Sequence, residues 1–305
     1  MPIKEMFVRS VMNLFGLGGF LGSSVGLSRR SLVIAAALVG TVSLGIGAHA
    51  ALNKRSPDAA RVAQAEQADS TAQPSSRIAL VIGNGHYPDA NIPLAQPVND
   101  ARALTAALRH EGFDVDAIED ATHDDMVRAV ARLKSKVRAD SVVMLFFGGY
   151  GIQAGRESYM IPVDATIWKE ADVRREGVSV ESVLDAARDF GASAKVVVLD
   201  ASRRNPYERR FRTFSHGLAP ITLPDNALLL TSAAPGTVAD DSAGANSVLV
   251  TELLNHIDSK RPDQARTAEA IFNETRVAIS RASGGAQVPS VSSTLMEEVS
   301  LNAQK

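Results

Sequence analysis

The sequence SVVMLFFGGYG at residues 141–151 decides how the central part of the chain folds. Its first seven residues are almost entirely apolar and end at a glycine pair, which is typical of a short strand buried on both faces of a sheet. Four more segments are predicted as strands, at residues 78–82, 113–118, 195–200 and 227–232. Apolar residues at helical spacing predict helices at residues 98–111, 124–137, 179–190, 246–258 and 267–282. This alternation predicts an α/β domain with a largely parallel sheet and helices on both faces.

Ligands of parallel sheets bind beyond the carboxyl ends of the strands. Here that rule selects three segments, at residues 83–90, 148–155 and 200–205. A functional site is therefore expected where these three strand ends meet.

The same three segments resemble the motifs of caspase-like cysteine peptidases, a family that includes the metacaspases and bacterial orthocaspases. RIALVIGNGHYPDANIPLAQPVNDA (77–101) is similar to the family's opening strand, Gly-Asn loop and Asn-Asp-Ala helix start. FFGGYGIQAGRESYMIPVDA (146–165) is similar to its aromatic-Ser-Gly-His-Gly and Tyr-Leu-x-Pro-x-Asp stretches, and VVVLDASRRNP (196–206) to its Leu-Asp-Ala-Cys-Arg-x-Asn-Pro motif. The resemblance spans about residues 77–295. It implies a caspase-hemoglobinase fold with about six strands.

Two substitutions separate this chain from the peptidases that it resembles. The family's catalytic His falls on Tyr150, and its nucleophilic Cys falls on Ser202. A thiol with a pKa of about 8.5 is partly ionised near neutrality, whereas a serine hydroxyl needs an adjacent base. The Tyr150 phenol, with an ordinary pKa of about 10, is protonated at pH 7 and cannot be that base. The chain is therefore predicted to be an inactive relative of the C14 cysteine endopeptidases, a pseudopeptidase.

Two other hypotheses remain open from the sequence. The chain is a working hydrolase if Ser202 is the nucleophile and a loop histidine, His86 or His216, is its base. It is a structural envelope protein if the binding site has no remaining role.

The resemblance also implies a site for a basic side chain. In metacaspases such a side chain is bound by two carboxylates, which fall here on Asp100 and Asp200, and Gly148 takes the place of a serine in that pocket. The expected partner is a peptide or protein with Arg or Lys. The alternative is structural: Asp100 caps a helix and Asp200 accepts hydrogen bonds from loop amides.

Arginines are concentrated after the third motif, at positions 203, 204, 209, 210 and 212. We expect a solvated loop surface, with an acidic partner or internal pairing to Asp189 or Asp225 as the alternative.

The N-terminal part has a different composition from the rest of the chain. Residues 31–52 contain no formal charge and are long enough to cross a membrane as one helix, and Arg29 and Arg30 precede them. We expect a cytoplasmic leader (1–30), a membrane span or signal sequence (31–52), a disordered linker (53–76), the caspase-like domain (77–297) and a tail (298–305). The predicted location is a bacterial inner membrane with a periplasmic domain, or the periplasm after cleavage near Ala50.

Composition excludes several other functions. The 32 basic and 34 acidic residues give a net charge of −2, so nothing in the charge favours nucleic acid. There is no cysteine, which excludes disulfides, thiolate metal sites and a thiol nucleophile. Nucleotide binding is disfavoured because Gly83-Asn84-Gly85 lacks the third glycine of the dinucleotide fingerprint. No cofactor is predicted; calcium is weakly suggested by aspartates at positions 89, 172, 240 and 241, without EF-hand spacing.

Overall fold

The structure is a computed structural model that describes residues 76–89, 93–207, 217–239, 244–257 and 266–302. Its strands are β1 (Arg77–Gly83), β2 (Asp114–Glu119), β3 (Val142–Gly148), β4 (Gly151–Ala154), β5 (Glu157–Met160), β6 (Val178–Ser179), β7 (Ala194–Asp200), β8 (Ala227–Thr231) and β9 (Ser290–Ser293). Its helices are α1 (Pro97–His110), α2 (His123–Lys136), α3 (Glu170–Glu176), α4 (Val180–Asp189), α5 (Val248–Ile257) and α6 (Ala268–Ala282).

Six of the strands form one sheet in the order β2-β1-β3-β7-β8-β9. All neighbouring pairs are parallel except β8 and β9, which are antiparallel. This confirms the predicted α/β domain with a largely parallel sheet. A second, antiparallel sheet of β4, β5 and β6 was not predicted, because its strands are two to four residues long.

The two faces of the large sheet bury separate apolar layers. In β1, for example, Ala79 and Val81 face one layer, while Leu80 and Ile82 face the other. Residues of α1, α5 and α6 complete the first layer, and residues of α2 and α4 complete the second. Because both faces are covered, the central strands have no polar face, which explains their continuous apolar sequences.

The structure describes the chain close to its C-terminal end but not its N-terminal part. Residues 1–75 lie outside the described residues, and with them the expected leader, hydrophobic helix and linker. Within the part that the structure describes, no helix has the length and apolar character needed to cross a membrane. At the other end the chain packs beyond residue 297: Leu301 is fully buried, and its carbonyl accepts a hydrogen bond from Arg77 Nη1 at 3.2 Å.

Candidate functional site

The three motif segments meet at one edge of the large sheet. Gly83, Gly148 and Asp200 are the last residues of β1, β3 and β7, and the strand register aligns them in a row. Beyond that row, Gly149 N donates to Asp200 O at 3.2 Å and Gly151 N donates to Ala201 O at 3.0 Å. The segments that carry Tyr150 and Ser202 are therefore neighbours, at the edge where parallel sheets place their ligands.

Helix α1 reaches this edge because Gly83 lets it approach. A Cβ atom at position 83 would lie 2.4 Å from Pro97 O and 2.7 Å from Ala101 Cβ, which no side chain can accommodate. Pro97 occupies the start of α1, where its missing N–H leaves no hydrogen bond unmade. The first turn of α1 therefore lies directly on the end of β1, and it brings Asp100 to the sheet edge.

Asp100 is fully buried and uses only one of its two carboxylate oxygens. Oδ1 accepts from Asn246 Nδ2 at 2.8 Å and from Ser247 N at 3.0 Å, just before α5 begins. Oδ2 has no hydrogen-bond partner. Burial, together with the negative charge of Asp200, raises the pKa of Asp100 from 3.8 to about 6. The sequence offered helix capping as an alternative role for Asp100. Asp100 does not cap α1, because both donors to its carboxylate, Asn246 and Ser247, come from outside that helix.

Asp200 is the second buried carboxylate of the site, with 2% of its surface exposed. Its Oδ1 lies 3.6 Å from Arg203 Nη2, and its Oδ2 has no hydrogen-bond partner. The charge of Asp200 affects the Asp100 carboxyl, so the two groups act on each other across the sheet edge. We call Asp100 and Asp200 the acidic pair.

Gly148 lies in the same row as Asp200. A Cβ atom at position 148 would be 3.3 Å from Pro97 Cβ and 3.3 Å from Phe146 Cζ. Gly148 therefore leaves only a narrow space between β3 and α1, close to the acidic pair.

Tyr150, which the sequence resemblance aligns with the family histidine, is a buried aromatic residue with 3% of its surface exposed. Its ring packs edge-on against Tyr87, with the ring centroids 4.8 Å apart. Tyr87 Oη accepts from Tyr150 N at 3.1 Å and donates to Ile161 O at 3.0 Å. Tyr207 belongs to the same apolar cluster. We call Tyr87, Tyr150 and Tyr207 the tyrosine cluster; it joins three loops by packing and hydrogen bonding.

Ser202, which the sequence resemblance aligns with the family cysteine, is 1% exposed, and its Oγ has no hydrogen-bond partner. Nucleophilic catalysis by serine requires a base that is hydrogen-bonded to the hydroxyl. No base in the described structure is bonded to the Ser202 hydroxyl. Acyl transfer also needs free N–H donors for the developing oxyanion. The backbone N–H groups nearby are used internally: Gly151 N donates to Ala201 O, and Ser202 N approaches Ser232 Oγ at 3.4 Å.

His86, one of the two histidines considered as substitute bases, is not hydrogen-bonded to Ser202, because Ser202 Oγ has no hydrogen-bond partner. The His86 side chain is 79% exposed, and its Nδ1 lies 2.8 Å from Asp120 Oδ2. Asp120 Oδ1 also accepts from Gly85 N and His86 N, which fixes this loop to the end of β2. His216 lies outside the described residues.

The weak calcium suggestion finds no support among the residues described. They contain no group of three or more acidic or histidine side chains that could hold a metal ion. Asp172 accepts from Trp168 N and Lys169 N and pairs with Arg175, so it serves the start of α3. Asp240 and Asp241 lie outside the described residues.

Two parts of the site were not predicted from the sequence. Arg203 was assigned to a solvated loop surface, but it is 5% exposed and faces Asp200, so that assignment is wrong for this residue. Arg204 is exposed, as expected, and positions 209, 210 and 212 lie outside the described residues. Asn246 and Ser247 were not singled out as partners of Asp100. Ser247 Oγ accepts from Val250 N at 3.1 Å, so a helix-cap signal before an apolar run could have located them.

The fold and the strand-end residues together define a caspase-type α/β domain. Residues 76–300 match the family model of the peptidase C14 caspase domain, and the chain therefore belongs to this family. This confirms the resemblance found in the three motifs.

Similar curated proteins come from mouse and human. The chain is 30% identical over 144 residues to the Mus musculus protein "Mucosa-associated lymphoid tissue lymphoma translocation protein 1 homolog", which is 46% of this chain and 17% of the mouse protein. It is 30% identical over 134 residues to the Homo sapiens "Mucosa-associated lymphoid tissue lymphoma translocation protein 1", covering 43% of this chain and 16% of the human protein. The matched region thus spans less than a fifth of these relatives.

Proposed function

We propose that this chain is a pseudopeptidase, a caspase-like domain that binds a basic side chain of a peptide or protein without cleaving it. It acts as a peptide-binding or regulatory module. Residues 31–52 attach it to a bacterial inner membrane, with the domain in the periplasm.

The observation that carries this proposal is the acidic pair. Each of its carboxylates is almost fully buried, and each keeps one oxygen, Asp100 Oδ2 or Asp200 Oδ2, without a hydrogen-bond partner. A buried carboxylate oxygen without a partner is costly, because burial removes its water without replacing the hydrogen bonds. An Arg or Lys side chain would supply both the charge and the donors that these oxygens lack.

The burial of the acidic pair also shapes how binding proceeds. Because Asp100 and Asp200 are buried, a basic side chain reaches both carboxylates only after the residues that bury them move apart. Since association that needs a structural change is slower than simple docking, we expect an association rate below about 10⁵ M⁻¹ s⁻¹.

Isothermal titration of the full-length protein with N-acetyl-argininamide tests the proposal. We expect saturable binding with a Kd of roughly 0.1–1 mM, the range for a ligand held by a few contacts. N-acetyl-citrullinamide has the same shape without the charge, and we expect it to bind at least about tenfold more weakly, because charged hydrogen bonds contribute about 1.5–3 kcal/mol. Equal affinity for the two ligands, or no binding of either, would refute the basic-side-chain site and favour the structural role.

The hydrolase alternative depends on Ser202 being activated. Because its hydroxyl is buried and bonded to no base, we expect no labelling by a fluorophosphonate probe at pH 8, measured by intact-protein mass spectrometry. The variant Ser202→Ala is the matched control. Labelling of the parent protein that disappears in Ser202→Ala would establish a serine nucleophile, and its loss in His86→Ala would identify the base.

A further inference from the structure

Residues 244–247, which lead into α5, are fixed to the start of α1. Asn99 Nδ2 donates to Ala245 O at 3.1 Å, and Gln96 Nε2 approaches Gly244 O at 3.4 Å. Both contacts are made with the backbone of residues 244–247, and neither involves a carboxylate of the acidic pair. They therefore hold this segment against α1 without acting on the proposed binding site.

Two further contacts of the same segment end on a single oxygen of Asp100. Its Oδ1 accepts from Asn246 Nδ2 at 2.8 Å and from Ser247 N at 3.0 Å. A rotation of the carboxylate about the Cβ–Cγ bond would carry Oδ1 away from both donors, so the two hydrogen bonds fix its orientation. The oxygen that remains without a partner is Oδ2.

We propose that Asn246 is a positioning residue of the basic-side-chain site. Together with Ser247 N, it holds the Asp100 carboxylate so that Oδ2 is the oxygen presented to a cationic ligand, and Oδ1 stays bonded to residues 244–247 when the ligand binds. This inference rests on the proposed function, because it concerns the same acidic pair.

The electrostatic effect of Asn246 on Asp100 supports this role. Burial and the charge of Asp200 raise the pKa of Asp100, whereas the hydrogen bond from Asn246 acts in the opposite direction. Asn246 therefore favours the ionised carboxyl, which is the form that attracts an Arg or Lys side chain. The same hydrogen bond thus both orients the carboxylate and favours its charge.

The substitution Asn246→Ala tests this inference, with Asn99→Ala as the matched control. Asn99→Ala removes a hydrogen bond to the same segment but leaves both donors of Asp100 in place. We expect N-acetyl-argininamide to bind Asn246→Ala about three- to tenfold more weakly than the parent, because a carboxylate that is not held must be ordered on binding. Asn99→Ala is expected to bind within about twofold of the parent.

The pH dependence of binding separates an effect on Asp100 from a general effect on the fold. Binding needs the ionised carboxyl, so the affinity of the parent is expected to rise as the pH passes through the Asp100 pKa of about 6. Asn246→Ala loses a hydrogen bond that lowers this pKa, so its affinity is expected to rise at a higher pH. Asn99→Ala is expected to keep the midpoint of the parent. The charged side chains beside Asp100 and its partner, Asp200 and Arg203, are the same in all three proteins.

Hydrogen exchange in the full-length parent keeps the inference testable if Asn246→Ala does not fold. Exchange of the Ser247 N–H, resolved by mass spectrometry of overlapping peptides, is compared with and without saturating N-acetyl-argininamide. Because Oδ1 keeps its donors in the bound state, we expect this exchange to be no faster with the ligand present. Faster exchange would mean that the ligand displaces residues 244–247 from Asp100, which would overturn the inference.

The outcomes separate this inference from the proposed function. If the parent binds, and Asn246→Ala shown to be folded by circular dichroism binds equally or more tightly, Asn246 does not position Asp100, although the site exists. An equal loss of affinity in Asn99→Ala, or an unchanged midpoint in Asn246→Ala, leads to the same conclusion. If the parent does not bind at any pH, the proposed function itself fails, and this inference fails with it.

Discussion

Replacing Tyr150 by His and Ser202 by Cys in one protein is expected to produce cleavage of fluorogenic peptides after Arg or Lys. The pair restores a thiol and an imidazole, and either substitution alone leaves the other half missing, so both single variants are expected to stay at the parent level. Removing nucleophile and base together costs about 10⁶ in kcat, and a missing oxyanion donor costs about 10²–10³. Because Gly151 N and Ser202 N are engaged within the protein, we expect a gain of about 10³ over the parent.

The tyrosine cluster provides the control for this experiment. Tyr150→His puts a smaller, more polar ring against Tyr87, and we expect it to lower the free energy of unfolding by about 1–3 kcal/mol. Tyr150→Phe with Ser202→Cys preserves the packing and lacks the imidazole, so it is expected to be stable and inactive. A double variant that is folded, binds N-acetyl-argininamide and still cleaves nothing would show that more than these two side chains separates the chain from an active peptidase.

The sequence predicts the sheet well because continuous burial leaves a strong pattern. The apolar run before Gly148 and the run Ala194–Asp200 require cover on both faces, and that requirement alone indicates a parallel sheet. β9 was missed because Ser290–Ser293 is a short edge strand, half-buried or exposed, with three serines among its four residues. Its antiparallel pairing with β8 is a tertiary contact that no local pattern specifies.

The site was predictable only where position along a strand determines it. The rule for strand ends places Asp200 and Ser202, and the helix that starts beside Gly83 places Asp100. The partners of these residues come from distant parts of the chain: Asn246 and Ser247 are about 150 positions from Asp100. Arg203 follows Ser202 directly, but nothing in a run of arginines tells which one turns inward. The burial of Arg203 and its pairing with Asp200 depend on the conformation of the loop, which the sequence pattern does not specify.

Asp100→Asn is expected to make the protein more stable while it abolishes the binding of basic ligands. The pKa of the Asp100 carboxyl is about 6 in the folded protein and 3.8 ordinarily, so folding favours the protonated form. The stabilising contribution of this carboxyl is therefore complete below pH 3.8, and it is lost as the pH rises through 6. At about 1.4 kcal/mol per pH unit, the ionised carboxyl costs roughly 3 kcal/mol at pH 8. An amide keeps the oxygen that accepts from Asn246 and Ser247 and removes the charge.

Urea unfolding of the parent and of Asp100→Asn between pH 4 and pH 8 measures this effect. The variant is expected to be about as stable as the parent near pH 4 and more stable by up to roughly 3 kcal/mol at pH 8. Asp120→Asn is the matched control at the same sheet edge, and its expected effect on the free energy of unfolding has the opposite sign. Although burial acts against it, hydrogen bonds from His86 N and Gly85 N hold the pKa of Asp120 below its ordinary value, so that substitution is expected to destabilise the protein above pH 4.

The change in stability and the change in ligand binding, taken together, distinguish a binding residue from a structural one. Where a carboxylate is retained for folding, the protein loses stability when that carboxylate is replaced by an amide, as we expect for Asp120. A carboxylate kept in a buried, unfavourable charge state, at the expense of stability, is retained for what it binds. If Asp100→Asn is less stable than the parent at pH 8, or binds N-acetyl-argininamide as the parent does, Asp100 is a structural residue and the proposed binding site is wrong.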